Sequence, residues 1–301
     1  MNLVEIPERE IKIEVPDHWD EMTPEQVDFC LQQAVHASLG VIEVLEAKLK
    51  CLYFLLDIQR DWKTERWERI NSKDLVKHKN VKIFLLAERL ITFLFKENEE
   101  GKLEVNFNTL TNHFPELTAG KTTLYGCADM LTDLTFGEFR AAVEEMNEYF
   151  ATKDQNKLSR MIACLYRPAP EDLPNRRKSL DWDGKTREPF YRARITENAI
   201  HATKLSVAHR NGILLWFTFC LNFIQKNELT IGGSEVDFRI LFSGGSEGSG
   251  TGWTGVLYAI AEKGIFGNTD QADQAGLFDV LLYMYDKELE NRKIKAKSKK
   301  K

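Results

Sequence analysis

Three glutamates, Glu144, Glu145 and Glu148, lie close together in a stretch with helical periodicity and are candidate metal ligands. Di-metal sites in helical bundles take their ligands from Glu-x-x-His pairs on facing helices. None of these glutamates has a histidine three residues later. The spacing therefore predicts a solvated helix face, and no metal site is predicted.

Two glycine-containing segments could bind phosphate. Gly120-Lys121-Thr122 matches the end of a nucleotide-binding phosphate loop, but the full motif needs a glycine five positions earlier, where Pro115 lies. Residues 243–252 are rich in glycine and serine, yet their spacing fits neither glycine fingerprint, and their composition predicts a flexible linker. An enzyme that binds a phosphate or nucleotide through Lys121 and the glycine-rich loop stays an alternative hypothesis.

Histidine and cysteine add little further chemistry. His201 and His209 are eight residues apart and could share a helix face, but two histidines do not form a metal site without a third ligand. The five cysteines form no C-x-x-C pair, so neither a zinc site nor a disulfide framework is predicted. Buried thiols in a reducing cytoplasm fit this pattern. No catalytic residue and no cofactor is predicted.

Tryptophan and arginine are the residue types that most often anchor protein–protein contacts. Residues 60–71 contain two tryptophans, which either face a partner or pack on the edge of a bundle. Residues 168–190 are rich in proline and positive charge, and either meet an acidic partner or form a solvated connector. The candidate interaction residues are Trp62, Trp67, Arg176, Arg177, Arg187 and Trp253.

A helical frame must position these side chains, and its clearest part runs from Leu131 to Pro168. Thr135 and Glu138 have the spacing of a capping box, and apolar residues then recur at steps of three and four. A short polar break over residues 151–156 precedes a second apolar face, which ends at proline. This pattern predicts two antiparallel helices.

The remainder of the chain is predicted to be helical with a few short strands. A capping signal at Thr23 begins one helix, alternation over residues 11–15 predicts a strand, and residues 195–224 are predicted as one long helix. The fold class is mainly α: a multi-helix bundle with a glycine-rich join to a C-terminal helical pair. The predicted parts are a helical main domain (1–231), a glycine-rich strand or linker (232–252), a C-terminal helical pair (253–292) and a disordered basic tail (293–301).

Composition narrows the function classes. Of the 301 residues, 43% are hydrophobic and 29% charged, which is typical of a soluble globular protein. A net charge of −5 argues against nucleic-acid binding by the whole chain, although the lysine tail leaves a nucleic-acid-binding module as a further alternative. The most apolar run, residues 213–224, is too short to span a bilayer, and the acidic N-terminal segment predicts no signal peptide.

Two stretches resemble a helical protein type found in phages and prophages of Bacteroidetes-group bacteria. The first is LTDLTFGEF…LSRMIACLYRP at 131–168, followed by REPF at 187–190. The second is WTGVLYAIAEKGIFGNTDQADQAGLFDVLLYM at 253–284. The resemblance implies a non-enzymatic virion-assembly or tail-associated protein, located in the host cytoplasm or the virion. It implies contacts with other phage structural proteins or with copies of itself, without a membrane or nucleic-acid partner.

Overall fold

The structure, a computed structural model, is mainly helical with short antiparallel strands, as the sequence predicts. The residues it describes are 1–6, 11–57, 63, 66, 79–180, 182–242 and 252–298. The chain divides into two compact units, which differ from the predicted parts because the first is discontinuous in sequence. The first unit comprises residues 1–109 and 206–215, and the second comprises residues 110–205 and 216–301.

The first unit combines helices with two β-hairpins. Strands β1 (Asn2–Ile6) and β2 (Ile11–Val15) pair in antiparallel register, with Asn2 opposite Val15. Strands β3 (Phe95–Glu97) and β4 (Leu103–Val105) form the second hairpin. The helices are α1 (Pro24–Ser38), α2 (Val44–Leu55) and α3 (Lys79–Leu90).

Trp19 lies at the core of the first unit and is fully buried. Its ring makes edge contacts with Phe93 at 5.5 Å and with Phe107 at 4.7 Å between centroids. Its indole N–H donates to the carbonyl oxygen of Asn106 at 2.6 Å, so the polar end of the side chain is also satisfied. Beside it, α1 begins with the predicted capping box, in which Thr23 and Gln26 satisfy each other's backbone donors.

The second unit contains a three-stranded antiparallel sheet, a β-hairpin and most of the helices. The strands are β5 (Glu116–Ala119), β6 (Thr122–Tyr125), β7 (Arg167–Pro168), β8 (Glu228–Ile231) and β9 (Ser234–Asp237). The helices are α4 (Phe136–Thr152), α5 (Gln155–Leu165), α6 (Leu173–Arg176), α7 (Ile195–Ala202), α8 (Val207–Lys226), α9 (Arg239–Phe242), α10 (Gly252–Glu262), α11 (Thr269–Gln274) and α12 (Leu277–Ser298), of which α8 begins in the first unit.

The predicted pair of helices is confirmed as α4 and α5. Thr135 and Glu138 form the predicted capping box at the start of α4. Lys153 ends α4 in the left-handed conformation, with φ of 58°, and Asp154 then caps α5 through the backbone N–H of Asn156. The chain therefore reverses within two residues, and α5 leads directly into β7.

The prediction of one helix over residues 195–224 is wrong, because α7 ends at Ala202 and α8 begins at Val207. The hydroxyl of Thr203 donates to the carbonyl oxygen of Ile200. The Oγ of Ser206 accepts a hydrogen bond from the backbone N–H of His209 at 3.0 Å, which is the N-cap interaction of a new helix. Apolar periodicity alone does not reveal such a local restart.

The C-terminal region also differs from its prediction. Where a pair of helices was predicted over residues 253–292, the structure has three, α10, α11 and α12. The chain is interrupted between α11 and α12, because the carbonyl oxygen of Ala275 accepts a hydrogen bond from the backbone N–H of Phe136, and the N–H of Leu277 donates one to the carbonyl oxygen of Leu134. The tail predicted as disordered from residue 293 is helical as far as Ser298. In the glycine-rich segment, the alternation of Val236, Phe238, Ile240 and Phe242 with polar and other residues predicts a strand, but the structure ends β9 at Asp237 and continues with the short helix α9. Residues 243–251 lie outside the described part of the chain.

Candidate functional site

The most polar part of the second unit's interior is a charge cluster of Asp133, Glu138, Arg167 and Arg187. The side chains of Glu138, Arg167 and Arg187 are each only 2% exposed. Glu138 Oε1 forms a salt bridge with Arg167 and a longer one, 3.4 Å, with Arg187. Arg187 also pairs with the carboxylate of Asp133. Two positive and two negative groups thus balance one another, and only Asp133, whose side chain is 25% exposed, reaches solvent.

The remaining donors of the two arginines are used by backbone carbonyl groups. Arg167 donates to the carbonyl oxygens of Glu188 at 2.9 Å and Cys164 at 2.5 Å. Arg187 donates to the carbonyl oxygen of Asp133 at 3.1 Å. These bonds connect β7, the start of α4 and the segment around residue 188. We conclude that the charge cluster holds elements together, since its donors already have protein partners.

The charge cluster keeps Glu138 ionised. Burial alone would raise the pKa of Glu138, but the guanidinium groups of Arg167 and Arg187 and the N–H of Thr135 lower it below its ordinary value. Burial likewise opposes the charged form of Arg187, yet Glu138 and Asp133 raise its pKa. Arg187 was predicted to be an interaction residue in a solvated basic segment. The structure instead buries it, because its charge is neutralised inside the unit.

Arg176 and Arg177 remain on the surface as predicted. Arg176 pairs with Asp172 at 3.1 Å, and the guanidinium of Arg177 lies 6.0 Å from the ring centroid of Trp182. A cavity of about 80 Å³ lies beside the charge cluster and is lined in part by Arg176, Trp182 and Lys185. It is much smaller than the roughly 300–1,000 Å³ of ordinary small-molecule sites.

The residues of the alternative phosphate site are not brought together at this cavity. Lys121 lies in the tight turn between β5 and β6, where Gly120 has φ of +69°. Lys121 and Thr122 are absent from the lining of the cavity that Arg176 and Lys185 share. The turn joins two antiparallel strands, whereas a phosphate loop connects a strand to a helix N-terminus.

The predicted tryptophan anchors do not form a free surface where they are described. The ring of Trp253 makes edge contacts with Phe136 at 6.0 Å, Phe139 at 5.1 Å and Phe242 at 6.1 Å between centroids. Trp253 therefore attaches α10 to α4 within the second unit. Trp62 and Trp67 lie outside the described residues.

The carboxylate face of α4 is only partly solvated. Glu144 and Glu148 are about half exposed, at 46% and 47%. Glu145 was predicted on the same solvated face, but it is buried and accepts a hydrogen bond from Arg160 Nε of α5 at 2.7 Å. Within the described ranges, no group of three or more His, Cys, Asp or Glu side chains is placed to hold a metal ion.

The cysteines lie in the interior. All five are free and buried. Burial raises the pKa of Cys127 and of Cys164 well above the ordinary thiol value, and it raises the pKa of Cys220 to about 12. These three thiols are therefore protonated at neutral pH, and a protonated thiol is a poor nucleophile.

A groove of about 480 Å³ lies between α9, α10 and α12 and is named here the C-terminal groove. Its apolar lining includes side chains from all three helices, and several of them are only partly buried. Its edges carry lysines from α12 and from the turn that follows α10. The lining includes Val256, Ile260, Lys263, Met284, Lys287 and Lys295.

The walls of the C-terminal groove are fixed to each other by contacts outside it. Phe238, which precedes α9, is fully buried and contacts the rings of Phe278 and Tyr285 on α12 at 6.4 and 6.0 Å. Arg292 of α12 donates to the carbonyl oxygen of Ile240 in α9 at 3.2 Å. A preformed apolar groove of this kind can receive another chain at little conformational cost.

Comparisons of the chain with protein-family models, with curated proteins and with solved structures give no match. Among the helices that the structure describes, none is both long enough and apolar enough to cross a membrane. Function is therefore inferred from the side chains and surfaces of the chain itself.

Proposed function

We propose that this chain is a non-enzymatic structural or assembly protein of a phage or prophage, acting through protein–protein contacts. The single observation that carries the proposal is the C-terminal groove, an open apolar surface with positive edges. Exposed apolar surface of this kind on a folded protein typically marks a site of interaction. The resemblance of residues 131–168 and 253–284 to phage and prophage proteins gives the context in which the partners are sought.

Three observations favour contact over catalysis. The charges of the cluster are paired with one another, and a raised pKa holds Cys51, Cys127, Cys164 and Cys220 as thiols. The polar cavity beside the cluster is too small for a nucleotide. The chain therefore offers binding surfaces more readily than a reactive centre.

The proposal is tested by the mass of the purified protein in solution, alone and mixed with the proteins encoded by its neighbouring genes. Size-exclusion chromatography with light scattering measures whether a defined oligomer or complex forms. We expect a stable complex that Met284→Glu disrupts, because a charge in the apolar lining opposes burial. The matched control, Lys293→Glu, changes an exposed residue of the same helix that does not line the groove. A monomer that binds none of these proteins would overturn the proposal.

Nucleic-acid binding is the second candidate, and one observation favours it. Lys293, Lys295 and Lys297 lie on the exposed last turns of α12, in a chain that is acidic overall. Binding through these lysines would weaken steeply with added salt and would be lost on deletion of residues 293–301. It would not respond to Met284→Ser, which changes no charge, so this variant separates the two candidates.

A further inference from the structure

We propose that the C-terminal groove binds an amphipathic α-helix of a partner protein, and that this helix carries acidic residues along both sides of its apolar face. The inference rests on the proposed function, and it adds the chemistry of the partner. Two features carry it, the shape of the groove and the distribution of charge along its edges.

The shape of the groove suits a helix. On α12 the lining residues Tyr283, Lys287, Asn291 and Lys295 recur at intervals of four, so they form one continuous ridge. Twelve residues of helix rise about 18 Å, which is the length of roughly three turns of a bound helix. The opposite wall is another helix, α10. Apolar grooves between helices are the surfaces that receive amphipathic helices in known recognition modes.

The charge on the groove is predominantly positive. Lys263, which directly follows α10, and Lys287 and Lys295 of α12 line it, against the single lining carboxylate of Glu288. Glu288 is already paired with Arg292 at 2.9 Å, and Lys287 is paired with Glu290 at 2.8 Å. Among the described residues, no carboxylate lies within salt-bridge distance of Lys263 or Lys295. Glu290 and Glu288 are close enough for Lys263 and Lys295 to lower their pKa values, but neither lysine forms a salt bridge with them, so both ammonium groups can pair with glutamate or aspartate residues of a partner.

The same charges argue against two other occupants. Two copies of the chain meeting groove to groove would bring like charges together, which disfavours a symmetric contact through this surface. The chain's own residues 243–251 have the sequence SGGSEGSGT and contain no large apolar side chain, so they cannot supply the apolar contacts that the lining offers. A separate acidic, amphipathic helix satisfies both the apolar lining and the lysines.

The test uses the full-length protein and two fluorescein-labelled peptides of about 18 residues, long enough to populate a helix. Both peptides carry leucine at positions i, i+3, i+4 and i+7. One has glutamate at the flanking positions, and the other has lysine there. Fluorescence anisotropy measures affinity at low salt. We expect the glutamate peptide to bind at least about tenfold more tightly than the lysine peptide.

Three variants assign the binding to the groove. The double variant K263E/K295E should remove or invert the preference for the glutamate peptide. K293E makes the same kind of change on α12 outside the groove, and it should keep the preference. Met284→Ser should weaken both peptides equally, because it removes apolar contact without changing charge. Hydrogen exchange should slow over residues 252–262 and 283–295 when the glutamate peptide binds.

Several results would overturn the inference. They are equal affinity for the two peptides, no binding at about 1 mM protein, and a preference that K263E/K295E leaves intact. Tighter binding of an oligothymidine strand with no effect of Met284→Ser would assign the lysines to nucleic acid. A dimer that Met284→Ser dissociates would assign the groove to a second copy. If a neighbouring-gene complex forms and Met284→Glu disrupts it while the peptides fail to bind, the proposed function stands without this partner chemistry.

Discussion

Glu138 and Arg167 form a salt bridge in which both side chains are 2% exposed. The other carboxylate oxygen of Glu138 accepts a hydrogen bond from the backbone N–H of Thr135 at 2.7 Å. One carboxylate therefore completes the capping box of α4 and neutralises an arginine of β7. The start of a helix and the position of a strand depend on the same side chain.

Replacing Glu138 with glutamine should lower the free energy of unfolding by about 3 kcal/mol. The change keeps the size of the side chain but leaves Arg167 and Arg187 without a buried counter-charge, and breaking such a pair is strongly destabilising. Urea unfolding followed by circular dichroism measures the effect. As a control, Glu144→Gln removes the exposed partner of Arg192 and should cost less than about 1 kcal/mol. Similar losses of unfolding free energy in both variants would mean that the charge cluster does not hold these elements together.

The contribution of Glu138 should depend on pH. Its folded pKa lies below the ordinary value of 4.5, so the carboxylate stabilises the folded state fully above that value. This stabilisation is lost as the pH falls through the lower folded pKa, because the unfolded chain takes up the proton first. The stability difference between the wild type and Glu138→Gln should therefore shrink as the pH falls below about 4.5. A difference that stays constant over this range would contradict the assignment.

The native protein should resist thiol reagents. All five cysteines are buried, and burial raises the pKa of Cys127 and Cys164. The reactive thiolate is therefore scarce and shielded at pH 8. Ellman's reagent should detect no rapidly reacting thiol in the folded protein and all five after unfolding in urea. One thiol that reacts rapidly in the folded protein would be accessible to solvent and would contradict the observed burial.

Lys153→Gly should stabilise the protein by about 1 kcal/mol. Lys153 ends α4 at φ of 58°, a left-handed conformation that glycine adopts without the steric cost of a β-carbon. Lys153→Ala is the matched control, because it also removes the ammonium group near the Phe150 ring but keeps the β-carbon. Urea midpoints should rise for glycine and not for alanine. Equal midpoints would mean that the backbone at this position is not strained.

The parts of the fold that the sequence predicts are those encoded by neighbouring residues. The capping boxes at Thr23 and Thr135 and the pair α4–α5 depend on spacings of a few residues. The interruption between α11 and α12 depends on backbone hydrogen bonds with Leu134 and Phe136, which are about 140 residues away in sequence. No local pattern carries that information.

The candidate site also depends on contacts between residues that are distant in sequence, which local patterns do not reveal. Arg187 looks like a member of a solvated basic segment, because its partners Asp133 and Glu138 lie about 50 residues earlier. Trp253 looks like a docking residue, but it packs on two phenylalanines of α4. The C-terminal groove is assembled from three helices, so its outline is absent from any single stretch. Only the eight-residue spacing of Lys287 and Lys295 on α12 can be seen in the sequence.

The discontinuity of the first unit has a consequence for synthesis on the ribosome. Residues 206–215 belong with residues 1–109, so the first unit stays incomplete until the whole of residues 110–205 has been translated. The first unit can therefore be completed only after much of the second has been synthesised, which differs from the common order in which an N-terminal domain is complete first. A nascent polypeptide released before residue 215 lacks a piece of its amino-terminal body, and truncation anywhere within residues 110–205 damages both units at once.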